Sequence, residues 1–221
     1  MIRALIPTVW FNFRHLPFRQ AVHLPVLLYK ARVLSCAGKV TVNGSPRFGL
    51  VRLGVPNVSL YPDSGIVLEI NGHVEFNGSC VIGNASAVSV GKSGHLVLGD
   101  GFVSTAAVKI ACYDAVTFGN DVLVGWDCLF MDTDFHRLTC DDGRALRGYG
   151  KVTVGDRVWF GAECRVMKNT SVPDDTVVSA GTVLNGPVDV AEHSVIGNTR
   201  TVKVIREGCR RNPADDRIIY E

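Results

Sequence analysis

The chain has 221 residues, enough for one domain with an appendage. Its 47% hydrophobic content excludes global disorder. The 33 Val and 23 Gly disfavour a mainly helical protein, because Val is β-branched and Gly loses backbone entropy in a helix. The net charge of +2 is unevenly spread: residues 1–62 hold eight Arg or Lys and no acid, and residues 63–221 hold 15 basic and 21 acidic residues. Seven Cys without a CxxC pair or a signal-type leader predict reduced thiols in the cytoplasm. No run reaches the ~18 to 20 apolar residues of a membrane span.

The chain opens on a basic, aromatic segment, residues 1–38. Trp10, Phe11, Phe13 and Phe18 interleave with Arg3, Arg14, Arg19 and His15. Two readings compete. The favoured one is a cap over the open end of a repeat structure. The other is a segment peripheral to the inner face of a membrane, with aromatics among the headgroups and cations toward anionic lipid. No nucleic-acid motif accompanies the charge, so no nucleic-acid partner is expected.

Residues 39–198 carry a period of six. Val154, Phe160, Val166, Val172, Val178, Leu184, Val190 and Ile196 are evenly spaced apolar anchors. Two positions before each anchor stands a small or β-branched residue, from Val152 to Ser194. Neither a helical period nor a long strand gives this pattern. A short strand and a corner every six residues do, and three such sides close a coil of 18. Coils stack at the ~4.8 Å spacing of neighbouring strands. The anchor points inward and must be apolar; the residue two before it points inward near a corner and must be small. The pattern continues upstream with interruptions through Ile70, Phe76, Ile82, Val90, Leu98, Ile110, Phe118, Val124 and Phe130. The steps to Val90 and then Leu98 are eight rather than six. About seven coils are expected. Cys80, Cys128 and Cys164 fall at the small inward position, as core fillers.

One segment breaks the rhythm. Residues 131–150, MDTDFHRLTCDDGRALRGYG, form a long excursion, a usual place for function in a compact repeat. It holds His136 with Asp132 and Asp134 beside it.

The run VTVGDRVWFGAECRVMKNTSV followed by VVSAGTVL resembles the hexapeptide-repeat acyltransferases. The preceding DTDFHRL resembles the catalytic-histidine loop of their sugar O-acetyltransferases. FNFRHLPF and PRFGLVRLG resemble, more loosely, members from bacterial capsule and exopolysaccharide clusters. The resemblance implies an all-β fold: a left-handed parallel β-helix with a short N-terminal cap and a C-terminal tail, residues 199–221. It also implies homotrimers with active sites between prisms, and acetyl-CoA as acyl donor. The implied reaction is transfer to a sugar hydroxyl in capsular or exopolysaccharide assembly.

The chemistry needs a base, because an alcohol is a poor nucleophile at neutral pH, and His136 is the candidate. Asp134 or Asp132 could orient its imidazole; the sequence does not choose. By resemblance, the Ala162 N–H meets the developing oxyanion. The resemblance places Trp159 and Ala180 along the coenzyme arm, and Arg200 or Lys203 near its phosphates. NGP, residues 185–187, stands where many relatives have a lysine. Tyr113, Asp114, Trp126 and Asp127 are candidates for the acceptor wall. His73, His95 and His193 lack this context. A zinc centre needs convergent histidines, and with only His136 in a suitable loop none is expected. The alternatives are an N-acetyltransferase of an amino nucleotide sugar and a non-catalytic scaffold. A serine acetyltransferase fits less well, for want of that group's helical N-terminal domain.

Overall fold

A computed structural model describes residues 2–198 and 209–211. Two helices open the chain, α1 (Ile2–His15) and α2 (Phe18–Ala21). The chain then winds through three sheets in turn. Val26–Leu28 lies in the first sheet, Arg32–Cys36 in the second and Lys39–Val42 in the third, and Val51–Val55 returns to the first. Repetition builds parallel sheets of eight, seven and six strands. The result is a triangular parallel β-helix of the left-handed, hexapeptide-repeat type.

The strands are short because the chain must turn a corner every six residues. In the regular coils they hold two or three residues, such as Trp159–Phe160 and Val177–Val178. Anchors Val154 to Leu184 are buried, and so are the small residues Val152, Val158, Cys164, Thr170, Thr176 and Thr182. Val190 and Ile196, at the end of the described coils, are half-buried. Phe102, Phe118, Phe130 and Phe160 form a stack along the axis, each ring edge-on to the next at 4.8–5.1 Å. That geometry matches the aromatic quadrupole and runs through the core from coil to coil.

The corners have their own ladder. Between the third and first sheets, the Ser79, Asp100, Asn120 and Asp156 amides donate to Asp100, Asn120, Asp156 and Asp174 side chains, one coil ahead, at 2.7–3.0 Å. Turn Asp and Asn side chains thus replace the strand pairing that a corner interrupts. The close approach explains Gly155, where a Cβ would stand 2.2 Å from Asp174 Oδ1.

The first coil begins at Val26, so the prism starts earlier than the boundary read at residue 39. Leu24 and Lys30 take left-handed conformations without Gly, as Arg157, Glu163 and Asp175 do in the late coils, but an eight-residue connection after Val42 departs from the six-residue rule. Helix α1 lies against this coil. Asn12 Nδ2 donates to Val26 O at 2.7 Å, and Val26 N donates to Asn12 Oδ1 at 3.1 Å. Leu28 N donates to Thr8 Oγ1 at 3.0 Å. Two side chains thereby stand in for a missing neighbouring strand. The opposite face leaves Ile6, Trp10 and Phe13 exposed, with Phe18 beyond them.

Candidate active site

The excursion after Leu129–Met131 is ordered, not structureless. Leu138–Cys140 and Ala145–Leu146 pair as an antiparallel hairpin, and Cys209–Arg211 adds a third strand along Leu138–Cys140. At its base Asp132 is fully buried. It accepts bonds from the Tyr113 N–H (2.8 and 3.0 Å) and the Asp114 N–H (2.7 Å). Burial pushes the Asp132 carboxyl above its ordinary range, against the pull of those two amides. Asp132 is therefore built into the corner that launches the excursion.

Asp134 makes an ion pair with Lys168 at 2.8 Å, tying the excursion to the next coil. Between these anchors Phe135 adopts φ 58°, an uncommon conformation for an aromatic residue. Its N–H donates to Thr133 Oγ1 at 3.0 Å, and its ring packs edge-on to Tyr113 at 4.8 Å. His136 follows immediately, with an exposed side chain. The reversal at Phe135 thus aims His136 outward from a fixed base. Tyr113 also bonds Ser89 through its hydroxyl at 3.0 Å, and Asp114 lies 3.6 Å from Arg147. Tyr113, Asp114, Asp132, Asp134 and His136 therefore share the corner between the second and third sheets.

Trp126, Asp127, Ala162 and Ala180 stand on a different corner, between the first and second sheets, and Trp159 lies on the first-sheet strand that leads into it. Asp127 N donates to Ala106 O, Glu163 N to Trp126 O and Gly181 N to Ala162 O, at 2.8–3.2 Å. Among the described residues, the N–H groups of Trp126, Ala162 and Ala180 take no part in this ladder. Gly161 permits the close stacking, since a Cβ there would lie 2.6 Å from Ala180 N. Trp126 and Trp159 are 38% and 50% exposed, enough of each ring to stack on a partner. Asp127 accepts a hydrogen bond from Tyr61, whose phenol is pushed up to about 12 by desolvation and then by Asp127. Arg200 and Lys203 lie outside the described residues.

Four features escape the sequence reading: Phe135's turn, Lys168, Tyr61, and a group of His73, Glu75 and His95 on the third sheet. The last had a signal. Phe76 and Leu98 lie 22 residues apart, so a coil of that length sets His95 beside His73.

These coils and this excursion define a hexapeptide-repeat parallel β-helix protein, the fold class of the acyltransferases named above. No family model matches the sequence. A Klebsiella pneumoniae protein described as an uncharacterized 24.8 kDa protein in the cps region is 26% identical over 150 residues. That match takes in 65% of this chain and 63% of the relative's length. Among solved structures, the polySia-specific acetyltransferase NeuO is similar over 79% of this chain and 75% of its own, with 14% identity and a TM-score of 0.48. A maltose O-acetyltransferase from Clostridium difficile matches over 96% and 83%, with 11% identity and a TM-score of 0.32. AntD, an N-acyltransferase from Bacillus cereus, matches over 81% and 86%, with 14% identity and a TM-score of 0.26.

Proposed function

We propose that the protein is an acetyl-CoA-dependent O-acetyltransferase acting on a sugar hydroxyl in bacterial capsular or exopolysaccharide assembly. The observation that carries this reading is the fixed excursion that presents His136. Its base is pinned by Asp132 and tied by the Asp134–Lys168 pair. A polar side chain held outward on an ordered loop suits a base that must meet a substrate from solution.

In the proposed step, the sugar oxygen attacks the thioester carbonyl while His136 takes the hydroxyl proton. The Ala162 N–H stabilises the tetrahedral oxyanion. Collapse breaks the carbon–sulfur bond, and the imidazolium returns its proton to the departing coenzyme thiolate. No acyl-enzyme forms. Trp159 and Ala180 flank the coenzyme arm, and Arg200 and Lys203 are assigned to its phosphates. Tyr113, Asp114, Trp126 and Asp127 face the acceptor.

Two separate corners hold these groups, with the second sheet between them. This favours a site completed by a second copy, in a homotrimer. We further assign the exposed Ile6, Trp10, Phe13 and Phe18 face, with Arg14 and Arg19, to peripheral contact at the inner membrane face from the cytoplasm. No described helix is long and apolar enough to cross a membrane.

The test is release of coenzyme thiol from acetyl-CoA with free and lipid-linked sugars. Turnover should need a hydroxyl acceptor and collapse in His136→Ala. Wild-type turnover in that variant sinks the mechanism. An amine-only acceptor profile replaces it with N-acetyl transfer, and absence of coenzyme binding leaves a scaffold.

A further inference from the structure

The third sheet carries a second cluster of reactive side chains, in the early coils, remote in sequence from the excursion. Along strands Lys39–Val42, His73–Phe76 and His95–Leu98, inward residues alternate with outward ones. Register places Lys39, His73 and His95 in one row, and Thr41, Glu75 and Val97 in the next. The two imidazoles stack, with centroids 4.7 Å apart and planes 3° from parallel.

Both rings direct Nε2 toward the second row. His73 Nε2 lies 2.9 Å from Thr41 Oγ1, and His95 Nε2 lies 3.5 Å from Glu75 Oε2. Asn43 donates to the other Glu75 oxygen, Oε1, at 3.0 Å. The carboxylate is thus clamped on one side and turned toward the histidines on the other. One ligand atom from each of His73, Glu75 and His95 lies within 4.8 Å of the other two.

We propose that His73, Glu75 and His95 bind one divalent transition-metal ion of the zinc type on the outer face of the third sheet. Two imidazole nitrogens and a carboxylate are the donor set of an open, three-ligand zinc site. Bonds of about 2.0–2.1 Å to a tetrahedral ion put the donors about 3.3 Å apart. The remaining closure is a rotation of side chains that are exposed or half-buried, on a backbone held by strand pairing.

An ion held by these three groups keeps a fourth position for water.

The experiment uses the full chain, stripped with a chelator, desalted and titrated with Zn²⁺ in equilibrium dialysis and with Co²⁺ by visible absorption. The expected result is one ion per chain. Cobalt should show four-coordinate d–d bands without a thiolate charge-transfer band, which separates the site from the cysteines. Glu75→Gln and His95→Ala should each weaken binding by more than roughly tenfold, since even groups behind metal ligands are worth 10- to 100-fold. His136→Ala should leave it unchanged. Circular dichroism checks that the variants fold, and histidine NMR in the wild type should show both rings shifting with the first equivalent. Wild-type affinity in a His73→Ala/His95→Ala double variant, or no saturable binding by the wild type, overturns the proposal.

Discussion

The late coils, from Val152 to Leu184, differ from the coils before them in what fills the corners. In the late coils each corner is as short as the prism allows, and the chain returns every 18 residues: Trp159 pairs with Val177, and Arg165 with Val183. Earlier, His73 to His95 takes 22 residues, and Val116 to Val152 takes 36. The strands still align, because inward side chains and parallel pairing set the register, and corners only need to close. Extra residues are therefore expelled outward at corners without disturbing the core. The late coils repeat without insertions, and the extra residues, the excursion with His136 among them, lie at the corners before Val152.

The largest expected effect tests that division. His136→Ala should lower acetyl transfer by roughly 100- to 10,000-fold, while the thermal midpoint stays at the wild-type value. A drop in melting temperature alongside the rate would mean that the excursion also supports the prism. Conversely, Phe160→Ala opens the aromatic stack beside Phe130 and should cost about 3–5 kcal/mol in denaturant unfolding. Its folded fraction should retain coenzyme binding.

A smaller loss is expected at the first coil. Asn12→Ala removes a buried side chain that satisfies both Val26 N–H and Val26 O. About 1–3 kcal/mol should disappear, with faster amide exchange in Val26–Leu28. Replacing exposed Trp10 and Phe13 by Ser should leave stability unchanged and reduce sedimentation with anionic vesicles. Deleting the whole segment through residue 38 would not separate these roles, since it removes two strands of the first coil.

The smallest effect concerns the corner ladder. Hydrogen bonds from Ser79 hold the Asp100 carboxyl below its ordinary value. A depressed carboxylate contributes stability above its unfolded pKa and loses it as pH falls through the folded one. Stability measured from pH 5 down to about pH 2 should therefore fall less steeply in Asp100→Asn than in the parent. An identical slope would remove this corner from the acid response.

The period of six was legible because the prism imposes it on every coil alike. Val154, Phe160 and Val166 had to be apolar and their partners two before had to be small, whatever else the chain does. Gly155 and Gly161 followed from close stacking at corners. The excursion was legible as an interruption of the period, with His136 inside it. Less visible was the first coil, whose strands at Val26 and Arg32 have irregular corners. Neither Lys168 nor Tyr61 stood out, because an isolated Lys or Tyr in a repeat looks like a solvated corner.

By itself, then, the sequence determined the short-strand repeat, its inward residues and the place where it opens, all of which depend on neighbours a few positions away. Only the tertiary structure decided which residues from different coils meet. It committed Asp132 to the Tyr113 and Asp114 amides and Asp134 to Lys168. It divided the candidates between two corners, and it set His73 against His95. Each of these depends on register between strands far apart in the chain, and register is set by inward side chains and parallel pairing between coils.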